Sequence, residues 1–361
     1  MNIALIGEFS SLQAMLALGF REHGIEACVF ANGDGFKKIG YDVFFGKKIN
    51  GYLGLARYLF FDQPSMLKNI FSDYDVVQIV NPYAFLTPNH GRVLYSKYLL
   101  SNVVRKDKDG LFSLLVAGCD SNVMLQVEAQ SNRPCEGCLK DTGLDRCAFS
   151  QPSRKQYEDY LVERLDVILP FGGEAYANAY SRAVSPMPFP MAVSAYDKKN
   201  TVVNNKIRVL HGINRPGFKG SELILKAFNR LENDYPGVFD FLVPNRLPLN
   251  DYLELMMSAN VVVDQMHADC FGMNSLFAMS HGKVVLTSCD LDYMSTLYGE
   301  NPPLYSIDGE ESLYEKLKYL MSWDSLQFEK IGEEARRFIE QRCDPATVAG
   351  EVLKIYKNMI A

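Results

Sequence analysis

Compact apolar runs alternate with amphipathic stretches from the first residues onward. Asn2 to Ile6 (NIALI) is the first run, followed by Gly7-Glu8-Phe9-Ser10 and a helical pattern from Ser11 to His23 that Gly24 stops. Ile25 to Phe30 predicts a second strand, and Asp75 to Val80 (DVVQIV) and Leu111 to Ala117 (LFSLLVA) predict two more, apolar enough to be buried on both faces. Runs of this kind, separated by helical patterns of about 10–15 residues, point to parallel βαβ units. A polar helix from Arg154 to Leu165 and a strand from Asp166 to Leu169 complete the first half.

Periodicity then lapses. Residues 185–205 hold three early prolines and then polar Asp-Lys-Lys-Asn and Asn-Asn runs, the composition of a linker. Beyond it the alternation restarts, with strands at Ile207 to Leu210, Phe239 to Val243, Val261 to Asp264 and Val284 to Thr287. Helices at Gly220 to Leu231, Leu249 to Ser258 and Asn274 to His281 lie between them. The tail from Asp344 to Ala361 is a helix with Val348, Val352, Ile355 and Tyr356 on one face. The expected class is α/β, with two doubly wound domains and a cleft between them. Ligands of such sheets bind outside the carboxyl ends of the strands.

The chain length of 361 residues suits two domains, and an apolar fraction of 48% lets each bury a core. The net charge of −6 argues against a nucleic-acid partner, while local Arg and Lys can still hold a phosphate-bearing ligand. The N-terminus has no basic region before a long apolar run and reads as a strand rather than a signal peptide. With no run of 18 apolar residues, a cytoplasmic location is expected. The aromatic stretch Gly51 to Phe61 (GYLGLARYLFF) follows Lys47-Lys48. It reads as a core helix, or as a peripheral contact with the inner face of a membrane.

Two strand-to-helix segments carry the chemistry. The first, His211-Gly212-Ile213-Asn214-Arg215-Pro216-Gly217-Phe218-Lys219-Gly220, aims backbone N–H groups and a helix dipole at an anion. Arg215 adds a planar fork and Lys219 a point charge, although both also read as solvated surface cations. The second runs from Asp264 through Asp269-Cys270-Phe271-Gly272-Met273-Asn274 and Phe277 to Gly282-Lys283-Val284-Val285. Asp269 there can accept hydrogen bonds from sugar hydroxyls or cap a helix, and the amides near Gly272 and Met273 can donate.

In this order, HGINRPGFKG and DCFGMNSLFAMSHGKVV resemble the C-terminal half of the family 4 retaining glycosyltransferases. The tail around Ala335 to Glu340, Asp344-Pro345 and Ile355-Tyr356 is similar to that family's closing helices, and GEFSSLQAMLALGFREHGIEA to its Gly-loop and first helix. The resemblance implies a GT-B fold: an acceptor-side domain over 1–198, a donor domain over 199–343, and a final helix 344–361 returning to the first domain. It implies transfer of a sugar from a nucleotide diphosphate-sugar, most simply a UDP-sugar, to a glycan, lipid-linked or other acceptor, with no catalytic metal. Arg215 and Lys219 would bind the diphosphate, together with Gly212 and Asn214 of the same loop. Asp269 would stand for the first Glu of the family's E-x7-E pattern. Phe271, Gly272, Met273 and Asn274 would flank the nucleotide, and Gly7 would line the acceptor side. Phe277 stands where the family's second Glu grips the ribose, a departure that leaves a non-catalytic sugar-nucleotide-binding or scaffold protein as the alternative. Asp120, after a strand end, is either a sugar-facing carboxylate or a turn residue.

Four of the eight cysteines fall in an irregular insertion, about 119–151: Cys119, Cys135, Cys138 and Cys147. The Cys-x2-Cys pair has the bite of a structural zinc site, with free thiols or redox pairing as the alternatives. The absence of HExxH and G-x-S-x-G argues against hydrolases, and the absence of G-x-G-x-x-G after the first strand against a dinucleotide oxidoreductase.

Overall fold

The computed structural model describes residues 1–46, 51–84, 92–104, 110–128, 137–140, 143, 147–193, 200, 202 and 206–361. Two all-parallel sheets organise them. The first holds β1 (Asn2–Ile6), β2 (Glu26–Ala31), β3 (Val43–Phe44), β4 (Val76–Val80), β5 (Leu111–Val116) and β6 (Val167–Pro170), in the order β3-β2-β1-β4-β5-β6. The second holds β7 (Ile207–Leu210), β8 (Phe239–Leu242), β9 (Val261–Val263), β10 (Val284–Thr287) and β11 (Tyr305–Ser306), in the order β11-β10-β9-β7-β8. Every residue of β4, β5, β6, β9 and β10 is buried, as expected for strands covered by helices on both faces. Strand order reverses between β1 and β4 and again between β7 and β9. Crevices therefore open at the carboxyl ends of those strands.

The last helix, Pro345–Ile360, packs on the first, Leu12–Glu22. Gly19 permits the approach, because a Cβ there would stand 2.0 Å from the Pro345 carbonyl oxygen. The fully buried Tyr356 fixes the register by donating to Gln78 Oε1 at 2.6 Å, with Ser113 Oγ at 3.0 Å. Asp344 caps this helix by accepting the Thr347 N–H at 2.8 Å, with Pro345 in the first turn. The preceding helix, Ser325–Arg342, ties the halves together through Arg336, which donates to Ser280 O and Val193 O, both at 2.9 Å.

Most predicted elements are present with ends moved by a few residues. The two-residue strands β3 and β11 are too short for a periodic signal. The predicted helix from Gly220 begins instead as a short turn, Pro216–Lys219, broken at Gly220 (φ +70°) and resumed as Ser221–Asp234. The core-helix reading of Gly51 to Phe61 is corrected. Helix Gly51–Arg57 buries no residue, and the π-helical turn Tyr58–Asp62 buries Tyr58 alone. The expected domain boundary at 198/199 and Cys135 lie outside the described residues. Among the described residues, no helix is long and apolar enough to cross a membrane.

Candidate functional site

The loop after β7 is built around a buried polar hub. His211 holds Val263 O at 2.9 Å through Nδ1 and Ser221 Oγ at 2.8 Å through Nε2, joining β7, β9 and the helix Ser221–Asp234. Burial, helped by the Lys219 charge, pushes its pKa down to about 4, so the ring is neutral and structural near pH 7. Lys219 donates to Asp264 Oδ1 at 2.9 Å, and the same carboxylate accepts from Asn274 Nδ2 at 2.9 Å and Ser275 Oγ at 2.8 Å. Burial alone would raise the Asp264 pKa, but Lys219 and these donors hold it below the usual range. Lys219 therefore enters the site as half of a buried ion pair.

Beside this pair lies a cleft lined from both halves of the chain and open to solvent. The second half of the chain contributes Gly212, Asn214, Lys219, Arg246, Tyr252, Met273, Asn274 and Phe277, and the first half contributes Ser10, Phe36 and Lys37. Asn214 Oδ1 and Tyr252 Oη are buried atoms with no hydrogen-bond partner of acceptable geometry among the described residues. Unmet buried polar atoms are uncommon, and in a cleft wall they mark positions a ligand can satisfy. Arg246 is exposed, has a left-handed backbone (φ 52°), and makes no ion pair among the described residues. Opposite it, Ser10 and Asp34 are also left-handed (φ 53° and 52°). Lys37 Nζ donates to Ser10 Oγ at 2.8 Å and pairs with Asp34 at 2.5 Å. Non-glycine residues held in this region store strain, and they concentrate at functional clefts.

Six of the residues singled out in the sequence thus line one cavity: Gly212, Asn214, Lys219, Met273, Asn274 and Phe277. The others lie apart from it. Arg215 lays its guanidinium 4.0 Å over the Phe218 ring, and its Nη2 meets Cys119 Sγ at 3.7 Å and Cys138 Sγ at 4.0 Å. Asp269 accepts the Ala175 N–H at 3.1 Å from across the domain junction, where a Cβ on Gly173 would stand 2.7 Å from its Oδ1. Gly7 (φ +87°) belongs to the turn after β1, where a Cβ would meet Val80 Cγ1 at 2.7 Å. Phe271 is core, its ring stacked 5.3 Å from Tyr298, and Gly272 precedes the first turn of helix Met273–Ser280.

Asp120 is fully buried and caps the helix Ser121–Glu128, with Oδ1 accepting the Val123 N–H at 2.7 Å and Oδ2 the Tyr180 hydroxyl at 2.9 Å. Burial, then the neighbouring Glu158 carboxylate, pushes its pKa up to about 7. Glu158 accepts the N–H groups of Ser121 and Asn122 at 2.8 and 3.2 Å and the Tyr83 hydroxyl, and burial raises its pKa too. A third raised carboxyl, Glu8 at about 7, is buried beneath the Ser10 turn and accepts the N–H groups of Gln13 and Ala14 at 3.3 and 2.9 Å. Among the described residues no group of three or more His, Cys, Asp or Glu is arranged to hold a metal. Cys119 and Cys138 meet at Arg215, and Cys147 opens the turn Ala148–Ser150.

Sequence reading missed Arg246, Tyr252, Phe36 and Lys37. The Pro244-Asn245-Arg246 turn after β8 was the one available signal, but its left-handed backbone is not written in the residue types.

No protein-family model matches the chain, and no curated protein does. Solved structures do match over its whole length. The Anabaena protein HepE in complex with UDP-glucose superposes with a TM-score of 0.62 at 13% identity, over 99% of this chain and 100% of that one. An α-glucosyltransferase in complex with UDP and DNA gives 0.60 at 14%, again over 99% and 100%. Sucrose-phosphate synthase of Thermosynechococcus elongatus gives 0.59 at 12%, over 99% of both chains. Similarity at this identity speaks for architecture, and together with the two facing parallel sheets it establishes that the chain has the GT-B fold.

Proposed function

We propose that the protein is a nucleotide-sugar glycosyltransferase that binds the donor in the cleft between β7, β9 and the Ser10–Lys37 face. The observation that carries this reading is the cavity at the strand carboxyl ends. It combines the exposed Arg246, two lysines already paired with carboxylates (Lys219 with Asp264, Lys37 with Asp34), two unmet polar atoms (Asn214 Oδ1, Tyr252 Oη) and apolar walls (Phe36, Met273, Phe277). Cations neutralise the charge that grows on a departing diphosphate. The apolar walls accept a base, and the unmet atoms pair with its edge or with sugar hydroxyls. Structures of the same fold carrying UDP or UDP-glucose support a uridine donor.

By resemblance to family 4, transfer is retaining, with acceptor and leaving group on one face of the sugar and the diphosphate helping to deprotonate the acceptor. Arg215 reaches the diphosphate on release from its two thiol neighbours. Asp269 holds the sugar side of the closed cleft, with the amides of Gly272 and Met273 as donors. The acceptor in this reading is a glycan, lipid-linked or other molecule, and the net charge of −6 argues against a nucleic acid.

A thermal-shift screen tests the core of the reading. UDP and a UDP-sugar should raise Tm by mass action while uridine alone does so weakly. No shift with any nucleoside diphosphate rejects it. The second reading, a sugar-nucleotide-binding protein without transfer, is favoured by Phe277, which puts no carboxylate in the cavity wall. Binding without any release of UDP from the sugar nucleotide in the presence of acceptor extracts selects it.

A further inference from the structure

A helical turn at residues 137–140 of the first half lies directly on the Arg215 loop of the second. Gly137 meets Gly217 backbone to backbone, since a Cβ on Gly137 would stand 2.2 Å from Gly217 O and 2.9 Å from its Cα. Cys138 Sγ lies 4.0 Å from Arg215 Nη2, on which Cys119 Sγ also converges at 3.7 Å. Lys140 Nζ donates at 2.7 Å to Oε2 of Glu222, in the first turn of helix Ser221–Asp234. Lys140, then Lys226, holds the Glu222 carboxyl well below the ordinary range. The turn therefore grips the loop by backbone, by guanidinium and by charge. Arg215, held there, stands apart from the cavity whose wall includes its loop neighbours Asn214 and Lys219.

Two properties make this grip releasable. The Lys140–Glu222 pair is exposed on both sides, 75% and 59%, and such pairs contribute little to a fold. The sulfur contacts of Arg215 are long, whereas a diphosphate offers a guanidinium charge-assisted, bidentate bonds of about 2.7–2.9 Å. An anion in the cavity competes well for a group held so weakly, and Arg215 directly follows the cavity-lining Asn214 in the chain.

We propose that the turn at residues 137–140 is an autoinhibitory clasp that holds Arg215 out of the cavity and gives way when a diphosphate draws the guanidinium in. The proposal rests on the reading of Arg215 as a diphosphate ligand and adds a gate to it. Apparent affinity is reduced to the fraction of molecules whose clasp is open.

The test is calorimetric titration of the full chain with UDP and with inorganic pyrophosphate at fixed ionic strength. Lys140→Glu breaks the pair with Glu222, and Gly137→Ala places a methyl against Gly217. Each should tighten both ligands, Lys140→Glu by about two- to fivefold, the range an exposed ion pair allows. The sign is diagnostic, because exchanging a cation for an anion near the loop would by itself weaken anion binding. Combined with Arg215→Ala, neither substitution should tighten either ligand. Unchanged or weaker binding in both loosened variants overturns the clasp and leaves the nucleotide reading standing. A gain that persists without Arg215 does the same. If the parent and both variants bind neither ligand, the clasp and the nucleotide reading fall together.

Discussion

Lys219 and Arg215 sit four residues apart in one loop, yet their removal should have different consequences. Lys219 is one member of a buried ion pair, and Lys219→Ala leaves Asp264 charged, buried and reliant on Asn274 and Ser275. Uncompensated burial of that kind costs about 3 kcal/mol or more, so the variant should melt much earlier before any ligand is added. Arg215 is exposed and leans on Phe218. Arg215→Ala should keep the parent melting point within about 1 kcal/mol of stability while weakening UDP binding. Equal melting of the two variants in urea titration would show that the Lys219–Asp264 pair carries no stability. The chemistry of this loop was legible as HGINRPGFKG, because strand-loop-helix with clustered cations is a sequence pattern. That Lys219 is held by a carboxylate 45 positions away was not, since no local signal announces a long-range partner. Phe277 illustrates the converse. Its departure from the family pattern was visible in the sequence, and it does line the cavity. Phe277→Glu should tighten UDP several-fold if a ribose lies against it, and the deoxyribose analogue should gain less. Identical changes for both nucleotides would place the ribose elsewhere.

At the scale of elements, the helix caps decide how stability follows pH. Asp120 caps Ser121–Glu128 and Glu8 caps Leu12–Glu22, both buried and both pushed up to about 7. A carboxyl whose folded pKa is raised binds its proton more tightly when folded. Its contribution is therefore fully present below the ordinary carboxylate range and is lost as pH climbs toward about 7. His211, pushed down to about 4, acts in the opposite sense: folding loses stability as pH falls from the ordinary histidine range toward 4. Two raised carboxyls outweigh one lowered imidazole between pH 5 and 7, so the parent should soften as pH rises through that window. Asp120→Asn keeps an acceptor for the Val123 N–H but cannot ionise. Its Tm should gain on the parent steadily between pH 5 and 7, and a constant gap across that range would show that Asp120 does not titrate there. The strands that carry these caps were legible as apolar runs. The caps were not, because Asp120 at a strand end reads equally well as turn, cap or sugar ligand until Tyr180 and Glu158 are placed around it.

For the whole molecule, the question is what sets the angle between the two sheets. Several contacts span the junction, among them three hydrogen bonds between residues 172–191 and the second half. Asp269 accepts the Ala175 N–H, Tyr293 donates to Gly172 O at 3.1 Å, and Met191 donates to Cys343 O at 2.7 Å. The first leaves the least room for a side chain, because residue 173 has none. A Cβ there would meet Asp269 Oδ1 and Cys270 Sγ, each at 2.7 Å, well inside contact distance. Gly173 is also extended, with φ −66° and ψ 159°, so alanine is acceptable to its own backbone and the whole effect of Gly173→Ala falls on the junction. The clash cannot relax by rotating the methyl, and Cys270 is buried and fixed, so the halves must separate by a few tenths of an ångström or Asp269 must turn away. Either response shifts Ser10, Phe36 and Lys37 relative to Asn214, Arg246 and Tyr252 while leaving all six side chains unchanged. Gly173→Ala should therefore weaken UDP-sugar binding more than UDP binding, since the sugar end lies nearer Asp269 in the proposed pose. Small-angle scattering with saturating donor should show less compaction than the parent. If affinity for both ligands and the scattering profile match the parent, the Asp269 joint does not set the cleft, and the angle is held by the other joints together with Arg336 and Tyr356 of the closing helices.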